Sequence, residues 1–257
     1  VDISAVIITY NEEERLDDAL RSLKGLVREV VVVDGRSQDG TVKVAKKHGA
    51  RVFERDWTNY SDQKNFGNQK ATGPWILSLD SDERVSPDLR AEIKTLLPSE
   101  PGCDGFSIPR VVHYLGRWIR HSGWYPDRRI RLFRKDKAHW EGSYVHEKLV
   151  FEGRMQRLRG PIHHFTYRSI AEHVTRLNTF SDLGAKKLYA AGKKCRWYHL
   201  LFLPGARFFR SYLLKRGFLD GFAGLVIAAL NGYAIFLRYA KLRAIWKKGE
   251  KIESFPY

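Results

Sequence analysis

The chain opens on ISAVIITY, residues 3–10, a β-branched run that stops abruptly at Asn11-Glu12-Glu13-Glu14. A strand with so little polar alternation is buried on both faces, so helices must cover both sides of its sheet. The pattern then repeats. Leu16, Leu20 and Leu23 recur at helical spacing, Val30–Val33 is a second apolar run, a helix follows to about His48, and Arg51–Phe53 makes a short third strand. A helix over roughly 61–71 leads to a fourth strand, Trp75–Asp80. Strands and helices in alternation predict an open, mostly parallel sheet with flanking helices and right-handed crossovers, an α/β fold.

Ligands of such sheets bind outside the carboxyl ends of the strands. Here those ends carry Tyr10 and Asn11, Asp34, and Asp80 with Asp82, so three polar clusters point at one crevice. After residue 97 the pattern changes to strand-like segments at 105–115, 130–134, 148–151 and 160–165, and from Ser169 onward it is helical. The expected organisation is an α/β core over 1–98 and a mixed β region over 99–168, together one domain over 1–168, with a helical extension over 169–257.

Composition narrows the partners. With 257 residues and 43% hydrophobic content the chain is neither disordered nor a disulfide-knit miniprotein. Cys103 and Cys195 lie far apart with no CxxC, which argues against a structural zinc site. The formal net charge is +16, and residues 186–257 hold 15 Lys+Arg against 3 Asp+Glu. The basicity therefore belongs to the extension. The opening residues read as a strand and not as an export signal.

Two common phosphate cradles are missing. There is no GxxxxGK[ST] loop, and acidic residues stand at the first strand–helix junction where a dinucleotide fold places glycines. The phosphates of a nucleotide would need a metal or cations from elsewhere. Asp80-Ser81-Asp82 offers two carboxylates to a hard divalent cation, Mg²⁺ or Mn²⁺. Helix capping is the bland alternative for them, but Ser86-Pro87-Asp88 is the better cap for the next helix and leaves the two aspartates without that job.

The blocks AVIITYNEEERLDDALRSL, VVVDGRSQDGT, QKNFG and WILSLDSDERV, in that order, resemble the inverting family 2 glycosyltransferases of the GT-A (nucleotide-diphospho-sugar transferase) fold over about the first 100 residues. The resemblance implies that Thr9, Tyr10, Asn11 and Glu13 grip a nucleoside and that Asp34 hydrogen-bonds its base, typically uracil. It places Lys64 near the nucleotide, Asp80 by the ribose and metal, and Asp82 as the main metal ligand. PDRRIRLFRK, WEGSYVHEKL, HHFTYRS and the apolar tail are similar to lipopolysaccharide core β-glucosyltransferases. That similarity implies a UDP-sugar donor, glucose from UDP-glucose, and a heptose hydroxyl of a lipid-linked saccharide acceptor.

An inverting transfer of this kind needs a base for the acceptor hydroxyl proton. Glu147, Glu141 and Asp127 are the candidate carboxylates, with Glu147 at the family position. His146, His163 and His164 could add an imidazole to the cation, and His146 joins Asp80 and Asp82 in the expected ligand set. Arg128, Arg129 and Arg131 could clamp a diphosphate or acceptor phosphate. Strand alternation puts Arg129 and Arg131 on one face and Arg128 on the other. A polyprenyl-phosphate acceptor would need no base, because its phosphate oxygen is already an anion.

The stretch Gly221–Leu237 is almost free of charge but short for a bilayer span, and basic and aromatic residues flank it. It reads as peripheral, a membrane-associating element at an anionic surface, with a packed pair of helices as the alternative. The expected location is the cytoplasmic face of the bacterial inner membrane. A nucleic-acid-binding module would explain the tail but not the four nucleotide-site blocks, so no nucleic acid is expected as partner.

Overall fold

The computed structural model describes residues 2–96, 102–142 and 147–248. The chain divides into two compact units, 1–111 with 127–164, and 112–126 with 165–257.

In the first unit β1 (Ile3–Thr9), α1 (Glu13–Leu23), β2 (Glu29–Asp34), α2 (Thr41–Lys47), β3 (Arg51–Glu54), α3 (Tyr60–Lys70) and β4 (Trp75–Asp80) follow the alternation read from the sequence. β1 lies between β2 and β4, β3 adds outside β2, and all three pairings are parallel. Every residue of β1 is buried. Ile3, Ala5 and Ile7 join Leu16, Leu20 and Leu23 of α1 on one face, while Val6 and Ile8 join Val31 and Val33 on the other. α1 carries Glu13 and Glu14 in its first turn and Arg21 in its last, which complements its dipole. α3 is capped by the Asn59 side chain, which accepts from the Asp62 amide.

Beyond β4 the sheet changes character. β5 (Glu83–Val85) and α4 (Pro87–Leu96) come next, and Ser86 accepts from the Leu89 amide as the cap predicted for that helix. β6 (Gly105–Tyr114) leaves the first unit at Val111, β7 (Arg117–Ile119) lies in the second, and β8 (Asp127–Arg134) returns to the first. β8 runs antiparallel to both β4 and β6. β9 (Ala138–Glu141) and β10 (Lys148–Phe151) form a separate antiparallel pair, and β11 (Met155–Arg157) and β12 (Ile162–His164) complete the unit. The main order is β3-β2-β1-β4-β8-β6-β12-β5. The sheet as a whole is therefore mixed, parallel over β1–β4 and mainly antiparallel beyond β4, where only β11 pairs parallel, with β6, among the described pairings.

A β-bulge between Phe106 and Ser107 makes Arg131 the surplus residue on β8. Ile130 then packs with Phe133 instead of Leu132. This corrects the expectation that Arg129 and Arg131 share a face. Arg131 is buried, and Arg129 is exposed.

The second unit contains α5 (Ile170–Ala190), α6 (Trp197–Phe209) and α7 (Gly221–Lys248). Its small core joins Val112, Tyr114 and Ile119 to Ala223 and Ile227, so residues 112–126 fold with the helices rather than with the first unit. Asp220 is buried and accepts from the Arg120 and His121 amides, tying the turn before α7 to that hairpin. The apolar stretch read from the sequence lies in α7, where Ala223, Ile227, Ala228 and Leu242 are buried. Gly217–Lys247 is long and apolar enough to cross a membrane by length and composition.

Candidate active site

The carboxyl ends of β1 and β2 are knitted together by side chains. Asp34 is fully buried: its Oδ2 accepts from Thr9 Oγ1 at 2.8 Å and Ser37 Oγ at 2.6 Å, and its Oδ1 accepts from the Ser37 amide at 2.7 Å. Asn11, at φ +54°, accepts from the Gln38 amide, and Glu13 accepts from the Gly40 amide at 2.9 Å. A Cβ at Gly40 would lie 2.3 Å from the Glu13 carboxylate, so a side chain there would push Glu13 off the Gly40 amide. Thr9, Asn11, Glu13 and Asp34 thus build the rim, and Asp34 spends both oxygens on it. Tyr10 is exposed. A Cβ at Gly35 would touch both the Tyr10 and Trp57 rings, and Trp57 meets Tyr60 edge-on with centroids 4.9 Å apart. Trp57 and Tyr60 therefore extend an aromatic surface that the sequence reading credited to Tyr10 alone.

At the end of β4 the charges are paired inside the protein. Lys64, from α3, is 2% exposed and reaches Asp80 Oδ1 at 3.2 Å and Glu147 Oε1 at 2.8 Å, with its ammonium 4.4 Å from the centroid of the Trp140 ring. Arg131 donates to Asp80 Oδ2 at 2.6 Å and to Glu83 Oε1 at 2.9 Å. Glu83 is completely buried and also accepts from Arg110 at 3.0 Å. Burial alone would raise Asp80, but the Arg131 and Lys64 charges hold its carboxyl well below the usual range. The Lys64 charge is thus paired with two carboxylates, and Asp80 is held by two cations.

Asp82 has a different partner. β12 pairs with β5 so that His164 stands opposite Glu83, and His164 Nε2 comes 3.3 Å from Asp82 Oδ2. Burial pushes Asp82 up while the His164 contact pulls it down, and the net shift is downward. Among the described residues no group of three or more His, Cys, Asp or Glu is arranged to hold a metal. Two protein ligands nevertheless suit a hard cation that takes its remaining oxygens from substrate phosphates and water. Asp82 and His164 could supply such a pair. His146 lies outside the described residues.

A cavity of about 440 Å³ is lined by Asp80, Arg110, Arg128, Arg129, Ile130, Arg131, Trp140, Glu147, Lys148 and Leu149. Of the three candidate bases only Glu147 reaches it. Its Oε2 is buried and has no hydrogen-bond partner among the described residues. Asp127 is held by Arg110 Nε at 3.1 Å and Arg129 Nε at 3.0 Å, and those charges pull its carboxyl down against the effect of burial. Glu141 is exposed on β9 and pairs with His139 at 2.9 Å. Neither lines the cavity. Arg128 spends its guanidinium on the Ser107 and Leu158 carbonyls, leaving the cavity a strongly basic wall. Glu83, Arg110 and Trp140 were missed by the sequence reading; only Glu83, following Asp80-Ser81-Asp82, had a local signal.

Residues 4–164 match Glycosyl transferase family 2, and the chain belongs to that family. It is 33% identical to an uncharacterized glycosyltransferase of Rickettsia typhi over 97% of this chain and 89% of the relative. It is 31% identical to the lipopolysaccharide core biosynthesis glycosyltransferase LpsC of Rhizobium meliloti over 93% of each. Among solved structures, S. aureus TarS 1–349 in complex with UDP-GlcNAc has the same fold, with a TM-score of 0.50 at 14% identity over 98% of this chain and 93% of that one.

Proposed function

We propose that this chain is a metal-dependent inverting transferase that moves a hexose, glucose from UDP-glucose, to a heptose hydroxyl of the lipopolysaccharide inner core. The observation that carries the chemistry is Glu147, a carboxylate held through Oε1 by Lys64 with Oε2 at the cavity and unpartnered among the described residues. A buried polar atom without a partner costs about 1–3 kcal/mol, and a substrate hydroxyl donating to it would recover that cost. The acceptor oxygen bonds to the anomeric carbon, the bond from that carbon to the diphosphate breaks, and Glu147 takes the hydroxyl proton. Attack opposite the leaving group inverts the configuration.

The donor lies along the β1, β2 and β4 ends in this reading. Tyr10, with Trp57 beside it, offers a ring to the base, and the rim built by Thr9, Asn11, Glu13 and Asp34 fixes the nucleoside pocket. Asp82 and His164 would hold Mg²⁺ or Mn²⁺, whose contribution when bound is to neutralise charge on the departing diphosphate. Asp80, locked by Lys64 and Arg131, positions that end of the site. Arg128, Arg129 and Lys148 present positive charge to the acceptor side.

The likeness to LpsC supports the lipopolysaccharide core acceptor, and the basic second unit supports a peripheral location at the cytoplasmic face of the inner membrane. We keep the catalytic domain at 1–168 and the membrane-associating extension at 169–257 as the functional division. Calorimetric titration with UDP, with and without Mn²⁺ or Mg²⁺, followed by a panel of UDP-sugars, tests the reading. Binding of UDP that needs the metal and is lost in Asp82→Ala is the expected result. Absence of UDP binding would overturn it.

A further inference from the structure

We infer that α6 and the turn that follows it dip into the surface layer of an anionic membrane, while α7 stays packed within its own unit. The inference deepens the peripheral-membrane reading and rests on it for its biological sense. Its physical basis is separate.

α6 is WYHLLFLPGARFF, and none of its residues is buried. One side nevertheless packs within the unit. His199 stacks on Tyr239 with centroids 4.5 Å apart, Gly232 approaches the Pro204 carbonyl, and Asn231 donates to Ser211 just beyond the helix. Trp197, Leu201, Phe202 and Phe209 are exposed along the helix, as are Leu213, Leu214 and Phe218 in the turn after it and Phe222 at the start of α7. Leu201 is 67% exposed, Leu214 78% and Phe222 69%. So many exposed aromatic and aliphatic side chains in one stretch of chain mark an interaction site.

Charge selects the partner. Between Asp182 and Asp220 there is no acidic residue, while Lys186, Lys187, Lys193, Lys194, Arg196, Arg207, Arg210, Lys215 and Arg216 all lie in that interval. Nine cations and no anion around exposed Trp, Phe and Leu fit headgroups of anionic lipid above an acyl boundary. α7, by contrast, places Ala223, Ile227, Ala228 and Leu242 in the core of the unit. Drawing it across a bilayer would strip those contacts. The apolar stretch that stood out in the sequence is thus in part a packing element, with Leu225, Tyr233 and Phe236 exposed at 41–45% against 58–67% for Trp197, Leu201, Phe202 and Phe209 of α6.

The test uses the full-length chain without donor or acceptor, sedimented with phosphatidylcholine vesicles containing or lacking 30% phosphatidylglycerol. Binding at least tenfold stronger to the anionic vesicles is expected, with a further tenfold or greater loss in Phe202→Glu/Leu214→Glu. Release of the bound protein by alkaline carbonate is also expected. Equal affinity for both vesicles, or unchanged binding of the variant, overturns the proposal. Carbonate-resistant binding places α7 across the bilayer and overturns it too. A chain that self-associates, ignores vesicles and becomes monomeric in the variant would identify the face as a contact between copies. UDP titration of the same variant separates the two readings: retained UDP binding reports an intact catalytic unit, while loss of UDP binding by the unmodified chain would sink the transferase reading and leave the vesicle result standing.

Discussion

The ammonium of Lys64 bridges Glu147 Oε1 at 2.8 Å and Asp80 Oδ1 at 3.2 Å, joining the end of β4 to the proposed base through one buried cation. Removing it leaves both carboxylates short of a partner, although Asp80 keeps Arg131. Breaking a buried ion pair costs about 3–5 kcal/mol, and the partial exposure of both carboxylates reduces this to about 2–3 kcal/mol. Lys64→Met is expected to lose that much stability in urea titration and to lose transfer activity. Unchanged stability would show that the bridge is not formed in solution.

Glu147→Gln keeps the shape and still accepts from Lys64, so the fold should be unaffected. Without a base for the hydroxyl proton, kcat is expected to fall by about 10²–10⁴, with the affinity for UDP unchanged. Turnover close to that of the unmodified enzyme would mean that the acceptor oxygen is already an anion, as in a polyprenyl phosphate, and would remove the heptose hydroxyl from the reading.

Asp82 and His164 face each other at 3.3 Å across β5 and β12. His164→Ala should raise the metal concentration needed for half-maximal UDP binding by roughly 10–100-fold, the usual cost of disturbing a ligand's surroundings. Asp82→Ala should abolish the metal-dependent part. Both variants should unfold at urea concentrations close to that of the unmodified chain, since neither side chain caps a helix. Metal-independent UDP binding of normal strength in both would remove them from the cation site.

His173 gives the second unit a pH dependence. Burial pushes it down to about 4 from 6.5, its ring stacks on Tyr167 at 4.2 Å, and its Nδ1 lies 3.0 Å from the Tyr114 hydroxyl. Above pH 6.5 both folded and unfolded states hold the ring neutral. As pH falls from about 6.5 toward 4 the unfolded chain takes a proton that the folded chain refuses, so stability drops in that window. The expected loss between pH 7 and pH 5 is about 1–2 kcal/mol in denaturant titrations, and it should be absent in His173→Phe. An equal loss in that variant would assign the pH dependence to other groups.

Much of the nucleotide half was legible because its signals are local. The β-branched runs, the leucine spacing and the Ser86 cap each fix an element within a few residues, and four motif blocks supply an order. What escaped depends on contacts distant in sequence. Lys64 meets Glu147 across 83 residues, and His164 meets Asp82 across 82, so no spacing rule connects them. The β-bulge that turns Arg131 inward is set by pairing with β6 and leaves no mark in DRRIRLF. In the second unit the charge-free stretch of α7 drew attention by composition, while exposure, which only packing decides, singles out α6.

Gly67 joins the motif QKNFG to the packing of the sheet and gives the sharpest test of the fold. It lies in the middle of α3, where alanine normally stabilises a helix by about 0.8–1 kcal/mol. A Cβ at this position would sit 2.5 Å from Val6 Cγ1 and 3.1 Å from Val33 Cγ2. Val6 and Val33 are buried in parallel strands and cannot retreat without shifting β1 or β2. Overpacking of this kind costs about 1–3 kcal/mol, enough to outweigh the helical gain. Gly67→Ala is therefore expected to lower stability in urea, and Gly67→Ala/Val6→Ala, which removes the obstructing methyls, to recover the part due to collision. Measured against Val6→Ala alone, the glycine substitution should turn from destabilising to near neutral; a gain in stability from Gly67→Ala in the unmodified background would show that α3 does not sit this close to the sheet.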